Sequence, residues 1–280
     1  MYDRDELFNW VSCTACGLAY LDPRVPERRI ARYYENYLPH RGPAAWGRWA
    51  SLVATGEVDV DRARVRTVLS LGVPERVLDV GCGRPSFLKL LHDRTGARCV
   101  GTDFDASGWS AQPAQWTGLE LHAGRLEELS LEGGFDRITL WHALEHLYQP
   151  AETLRHLRSL ARRGAKLIIE VPDHDGLTRR MHGGCWAGYH TPRHTAAYTP
   201  ATLGGLLERS GWRIVRQYQW GTMDPYVLWW LGDQERRGRS FSGSMEGRFA
   251  AFVGGKVLAL PVTMLARLIP LGFQTAIAAA

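Results

Sequence analysis

The sequence predicts an α/β fold built on a mostly parallel sheet with helices on both faces. Short apolar runs alternate with helical patterns between about residues 76 and 218, and that alternation places strands side by side in parallel with both faces covered. The first run, "RVLDVGCG", ends in two glycines immediately before the helix pattern "SFLKLLHDR", which is where a doubly wound sheet admits a ligand. The composition agrees: 280 residues, 45% hydrophobic and 22% charged, suit one large globular domain or one domain with a substantial insertion.

The chain to about residue 70 reads as helical. "VPERRIARYYENY" has Pro26 near a helix start and apolar positions at helical spacing, and "DVDRARVRTVLSLG" forms a second helix ended by Gly72. Strands then follow at "RVLDVG", "CVGTDFD", "LELHAG", "FDRITLWHAL" and "AKLIIEVP", with the helix "AETLRHLRSLARRG" closed by Gly164 before the last of them. "TPATLGGLLERSGW" carries Thr199 as N-cap, Pro200 in the first turn and Gly211 as stop. "WRIVRQYQW" is a sixth strand and "FQTAIAAA" a seventh, with about fifty aromatic- and glycine-rich residues between them. The expected organisation is an N-terminal helical cap with a remnant CxxC segment (1–70), a ligand-binding core (71–220), a helical insertion or lid (221–272) and the last strand of the core sheet (273–280). No internal repeat appears.

Net charge is +5, and no run of like charges is long enough for a nucleic-acid tail. The opening "MYDRDELFNW" is too charged for a secretory h-region, and the five cysteines are an odd number, so a reducing cytoplasm is expected rather than a disulfide framework. No segment reaches the roughly 18 uninterrupted apolar residues of a membrane span. "VLALPVTMLA" and "LIPLGFQTAIAAA" come nearest, separated by Arg267 and broken by Pro261 and Pro270. They read as buried helices and a final strand, with a surface-lying segment as the alternative, through which peripheral membrane contact would occur.

Gly81 and Gly83 let a backbone approach a ligand closely, and the helix that follows offers free N–H groups. Two ligand classes compete there. A nicotinamide dinucleotide wants G-x-G-x-x-G, whose last position is Ser86 here. The pattern acidic-x-G-x-G-x-G is met by Asp79, Gly81 and Gly83, with Pro85 in its last place. "VLDVGCG" resembles motif I of the class I S-adenosylmethionine-dependent methyltransferases. "GTDFD" places Asp103 twenty residues past Gly83, where an acid can accept both ribose hydroxyls. "FDRITLWHALEHLYQPAETLRHLRSLARRGAKLIIEVPDHD", "YHTPRHTAAYTPATLGGLLERSGW" and "CTACGLAYLDPRVPERRIARYYENY" resemble further segments of the small-molecule branch, which includes ubiquinone-pathway and deoxysugar enzymes. The resemblance spans about residues 13–220.

It implies a Rossmann-like seven-stranded sheet with an antiparallel last strand, S-adenosylmethionine as cofactor, S-adenosylhomocysteine as product and O- or C-methylation of a small biosynthetic acceptor. The cofactor residues it implies are Asp79, Gly81, Cys82, Gly83, Asp103, Phe104, Arg125, Leu126, Trp141 and His142. Pro85 removes a donor and adds bulk, so a degenerate, non-catalytic member is an alternative, and a nicotinamide-dependent oxidoreductase is another.

"HALEH" supplies His142, Glu145 and His146 in the H-x-x-E-H spacing of a zinc-peptidase pattern. Their place after a parallel strand sets them beside the cofactor pocket instead. His146, His194 or His142 is the candidate base, since an imidazole suits removal of a hydroxyl proton. Tyr189, His190, Tyr226 and Trp230 are candidate acceptor contacts, Tyr33, Tyr34 and Tyr37 candidate covers for the cofactor, and Met223 and Trp229 belong to an aromatic stripe that equally fits a core. Cys13 and Cys16 form half of a zinc ribbon; a structural zinc needs four ligands, so no metal is assigned.

Overall fold

In a computed structural model, residues 6–34, 42–239, 241 and 243–280 are described. In chain order the regular elements are β1 (Trp10–Ser12), β2 (Ala19–Leu21), α1 (Ala50–Leu69), β3 (Arg76–Val80), α2 (Ser86–Thr95), β4 (Arg98–Asp103), β5 (Leu119–Ala123), β6 (Phe135–Trp141), α3 (Pro150–Leu160), β7 (Ala161–Pro172), α4 (Leu177–His182), β8 (Ala196–Ala197), α5 (Pro200–Arg209), β9 (Arg213–Tyr218), α6 (Tyr226–Arg236), α7 (Phe249–Thr263) and β10 (Phe273–Ala279). The chain divides into two compact units. A sheet unit comprises residues 58–171, 203–218 and 275–280, and a second unit comprises 1–57, 172–202 and 219–274.

The sheet unit holds a seven-stranded sheet in the order β5-β4-β3-β6-β7-β10-β9. β5, β4, β3, β6 and β7 pair in parallel, and β10 runs antiparallel to β9. The parallel strands are apolar on both faces: Val77, Leu78, Val100, Ile138, Leu140 and Ile168 are all fully buried. Each such side chain contributes about 1.5–3 kcal/mol by leaving water. Strand order reverses at β3, which lies between β4 and β6, so the crevice of a doubly wound sheet opens beyond the carboxyl end of β3.

The opposite end of the sheet is tied by charge. The buried Asp136 carboxylate accepts the backbone N–H groups of Glu75 (2.9 Å) and Arg76 (3.1 Å) and pairs with Arg162 (3.0 Å). The buried Arg137 guanidinium donates to the carbonyls of Leu71 and Gly72 at 3.2 and 3.1 Å.

Several local expectations shift. α1 starts at Ala50, well before "DVDRARV". The stretch 27–33 is a 3₁₀ helix after Pro26. Pro85 stands at the N-cap of α2, where its carbonyl accepts the Lys89 N–H (2.9 Å). α3 ends at Leu160 rather than Gly164. Residues 161–165 join β7, and its register with β6 slips between Phe135 and Arg137, with Gly164 at φ 79° in the irregular stretch. Glycine there supplies a left-handed backbone for a bulge, not a helix stop. Thr199 caps α5 as its sequence predicts: its hydroxyl accepts the Thr202 N–H (3.2 Å), and the Thr202 hydroxyl accepts the Thr199 N–H (2.9 Å).

The second unit contains a small antiparallel sheet, β1-β2-β8. One of its cores is aromatic, with Trp46, Tyr226, Trp230 and Phe241 buried beside Met245. The expectation of buried C-terminal helices fails for α7, in which no residue is buried. Its side chains are apolar on nearly every side, and only a narrow stripe finds a neighbour to pack against.

Candidate active site

The β3 turn is a continuation of the sheet ladder. The Gly81 and Cys82 N–H groups both donate to the Thr102 carbonyl, at 2.8 and 3.0 Å. Gly81 has φ 72°, and a Cβ there would stand 2.7 Å from the Ala143 methyl. Gly83 has φ 49° with open space where its side chain would point. Both positions therefore need glycine, one for space and both for conformation. The Gly83 N–H donates to Asp103 Oδ2 (2.7 Å), and the Phe104 N–H donates to Asp103 Oδ1 (2.6 Å). The Gly124 N–H donates to the Asp103 carbonyl at 2.9 Å, which places the Arg125–Leu126 corner beside β4. Leu126 is buried, Arg125 pairs with Glu128 (3.4 Å), and the Phe104 ring is exposed.

Asp79, in the strand before the turn, is buried and accepts the Thr139 hydroxyl proton at 2.6 Å. Burial pushes its pKa up to about 7; Thr139 and the Arg64 charge pull the other way. Cys82 is also buried, and its thiol is pushed well up by burial and the nearby aspartates. Trp141, at the end of β6, packs edge-on to Phe87 (5.7 Å between centroids) with the Arg64 guanidinium over its ring at 5.5 Å. Its indole N–H is buried without a hydrogen-bond partner.

His142 follows with a left-handed backbone, φ 56°. Its N–H donates to the Glu170 carbonyl at 2.9 Å. Its ring lies between two buried carboxylates, with Nε2 3.0 Å from Glu170 and Nδ1 3.5 Å from Glu145. Burial disfavours the charged ring, but the bonds to Glu145 and Glu170 outweigh it and raise the pKa to about 9. Held as imidazolium at neutral pH, His142 has no lone pair with which to take a proton. His146, one turn on, is half-buried, and its backbone N–H donates to the Ala143 carbonyl (3.1 Å).

The remaining expected residues lie in the second unit. His194 is buried, with Nδ1 2.7 Å from the Gly188 carbonyl and its ring edge-on to His190 at 5.0 Å. His190 has φ 40°. Tyr189 packs at a tilt against Trp10 (4.6 Å between centroids), and its hydroxyl is 3.0 Å from His174 Nε2. Tyr226 and Trp230 sit inside the aromatic core, around Phe252 at 5.4 and 5.1 Å. Trp229 stacks on Tyr226 at 5.7 Å. Tyr33 and Tyr34 border Arg32 and Arg193, while Tyr37 falls outside the described residues. A cavity of about 210 Å³ in this unit is lined by Trp220, Met223, Pro225, Met264, Arg267 and Phe273. Among the described residues, no group of three ligand-type side chains includes Cys13 or Cys16.

Sequence reasoning missed the supports of the turn. Asp61 on α1 is buried and hydrogen-bonds Ser86, with Arg64 3.6 Å away. Their i,i+3 spacing on a helix was the available signal. Thr139 and Glu170 were hidden inside apolar strands. They reveal themselves only by register, since Thr139 lies directly across from Asp79.

The family of methyltransferase domains matches residues 55–217. The chain belongs to this family. No curated protein sequence matches it. Among solved structures, the fold is similar to the 1,6-didemethyltoxoflavin-N1-methyltransferase of Burkholderia thailandensis, determined with 1,6-didemethyltoxoflavin and S-adenosylhomocysteine. The TM-score is 0.57 and the identity 17%, with 94% of each chain covered. It is similar to magnesium protoporphyrin IX methyltransferase of Synechocystis PCC 6803 with bound S-adenosylhomocysteine (TM-score 0.54, 18% identity, 90% of this chain and 99% of that one). It is also similar to the [4+2]-cyclase SpnF (TM-score 0.59, 14% identity, 92% and 97% covered). The family match, which spans β3, its turn and Asp103, sets the nicotinamide alternative aside.

Proposed function

We propose that this methyltransferase transfers the methyl group of S-adenosylmethionine to an oxygen or carbon of a small biosynthetic acceptor in the cytoplasm. The observation that carries the reading is the tie between Gly83 and Asp103, which holds the glycine turn and the acid at the end of β4 in one hydrogen-bonded unit. The residues present fit the cofactor. The Asp103 carboxylate stands at the end of β4 beside the turn, the Trp141 N–H is a buried donor awaiting a partner, and Gly83 leaves open space over the turn. Asp103, the Gly81–Gly83 backbone, Phe104, Arg125, Leu126 and Trp141 would hold it. The bound cofactor supplies a methyl group on a sulfonium, ready for in-line displacement.

The chain's own work is alignment and exclusion of water, worth several kcal/mol. A hydroxyl or carbon acceptor also needs a base. His142 is held protonated, so His146 or His194 takes that role. The second unit, with Tyr189, His190 and the cavity beside Met223, carries acceptor selectivity, and the segments 1–70 and 221–272 serve as its cap and lid. Neither a metal nor nucleic acid enters this reading.

Calorimetric titration with S-adenosylmethionine, S-adenosylhomocysteine and NADH tests it. Micromolar binding of the first two, with none of NADH and loss in Asp103→Ala at unchanged melting temperature, is the expected result. Absence of binding by folded protein sinks it. A second reading keeps the fold and cofactor but not the transfer, because the same fold carries a [4+2]-cyclase and fold does not dictate chemistry. Cofactor binding without label transfer to any acceptor from a panel would favour that reading.

A further inference from the structure

The C-terminal part of the second unit presents an exposed apolar surface to which the methyl-transfer reading gives no task beyond that of a lid. In α7, Phe249, Phe252, Gly255 and Ala259 recur at helical spacing and are the residues turned towards neighbours. Phe252 packs against Trp46 (5.3 Å) and Trp230 (5.1 Å), and Gly255 leaves room for the Tyr226 hydroxyl, which any side chain there would strike. The rest of the helix and the turns after it face outward although they are apolar. Eight large hydrophobic residues are exposed within 257–269, including Leu258 at 83%, Met264 at 75% and Leu268 at 81%. Scattered exposed apolar residues are ordinary, but a contiguous set of this kind marks an interaction surface.

Charge identifies the occupant. After Glu246 the chain has no Asp or Glu, and the only charged side chains in 249–280 are Lys256 and Arg267. Lys256 pairs with Asp224 at 3.1 Å. Arg267 is exposed among the apolar residues. An acid-free apolar segment that exposes Arg267 complements an anionic lipid surface. A second copy fits less well, because a two-fold contact would set the same cationic segment against itself. Among the described residues no helix is long and apolar enough to cross a membrane, and α7 has only 15 residues, so the segment would lie along a surface rather than through it.

We propose that residues 249–269 dock this protein on the surface of an anionic lipid bilayer, with the exposed aliphatic side chains in the acyl boundary and Arg267 among the headgroups. The same segment lines the cavity through Met264 and Arg267, so docking would bring that cavity to the lipid boundary. The proposal stands apart from methyl transfer and is tested without it.

Flotation of the full chain with phosphatidylcholine vesicles, with and without phosphatidylglycerol, at low and high salt decides it. Co-flotation with the anionic vesicles, reduced by salt, is the expected result. Arg267→Gln should weaken partition about fivefold, the effect of one cation at such a surface. Leu258→Ser with Leu268→Ser should abolish flotation at unchanged melting temperature, while Leu52→Ser, exposed elsewhere, should not. Absence of flotation at both salts overturns the proposal. So does a dimer in light scattering that the Leu258/Leu268 variant dissolves while neither protein floats. Should that double variant fail to fold, the wild-type and Arg267→Gln arms still decide.

Discussion

At the scale of single residues, His142 is the side chain whose role the structure redefines. Its spacing with Glu145 and His146 invites a chemical reading, yet its ring is clasped by Glu145 and Glu170, which are 1% and 0% exposed. Removing one partner of a buried ionic cluster leaves charge without compensation and costs about 3–5 kcal/mol. His142→Ala does this and also puts alanine in a left-handed conformation, which costs roughly another 1–2 kcal/mol. His142→Asn tolerates that conformation and can still donate one hydrogen bond. Urea denaturation should therefore show the asparagine variant losing about half as much stability as the alanine variant. A charged His142 also makes no contribution to the acid-side limb of activity, the fall in rate as the base becomes protonated below neutral pH. The pH profile of methyl transfer should keep that limb in His142→Asn and lose it in His146→Gln or His194→Gln. Loss in His142→Asn alone would return the base to His142.

At the scale of elements, the strand–turn–helix of β3 and α2 is where sequence and structure agree most closely. Its glycines are legible because each answers a local demand: Gly81 has φ 72° and no room for a methyl group against Ala143. Gly81→Ala should therefore cost about 1–2 kcal/mol in backbone conformation alone, force Ala143 aside, and weaken cofactor affinity at least tenfold by calorimetry. Pro85→Gly should change affinity much less, because an N-cap residue's N–H lies outside the helix ladder. The strands were equally legible, since burial on both faces writes itself as continuous apolar runs such as "LIIEV". Contacts distant in sequence were not. The pairing of Asp79 with Thr139 depends on strand register, and Asp61 reaches Ser86 only because α1 packs beside the turn. α7 misled for another reason. Its pattern is apolar nearly all round, which ordinarily signals burial, and nothing local records that the second unit covers only one stripe of it. Tyr226 and Trp230 show the converse: aromatic residues in an insertion between the last two strands invite an acceptor role, but here they fill a core.

At the scale of the whole molecule, the buried titratable groups set how stability responds to pH. Asp79 is raised to about 7 by burial, so between its unfolded value near 4 and pH 7 the native state holds a proton that the unfolded chain has released. Stability from this group falls as pH rises through that window. His142 is raised to about 9, so its contribution is fully present below about 6.5 and is lost as pH climbs towards 9. The two windows meet end to end, and both slopes have the same sign. Glu120 works in the opposite sense. Its hydrogen bonds to His122 and Arg98 hold its pKa down, so its small contribution disappears only in acid. The sheet unit should therefore be most stable near pH 4, with its melting temperature declining steadily from about pH 4 to 9. Differential scanning calorimetry across that range checks the shape, and two variants assign its parts. Asp79→Asn should flatten the decline below pH 7 while leaving the upper limb, and His142→Asn should flatten the upper limb while leaving the lower. A decline that both variants keep intact would mean that neither buried group carries the pH response.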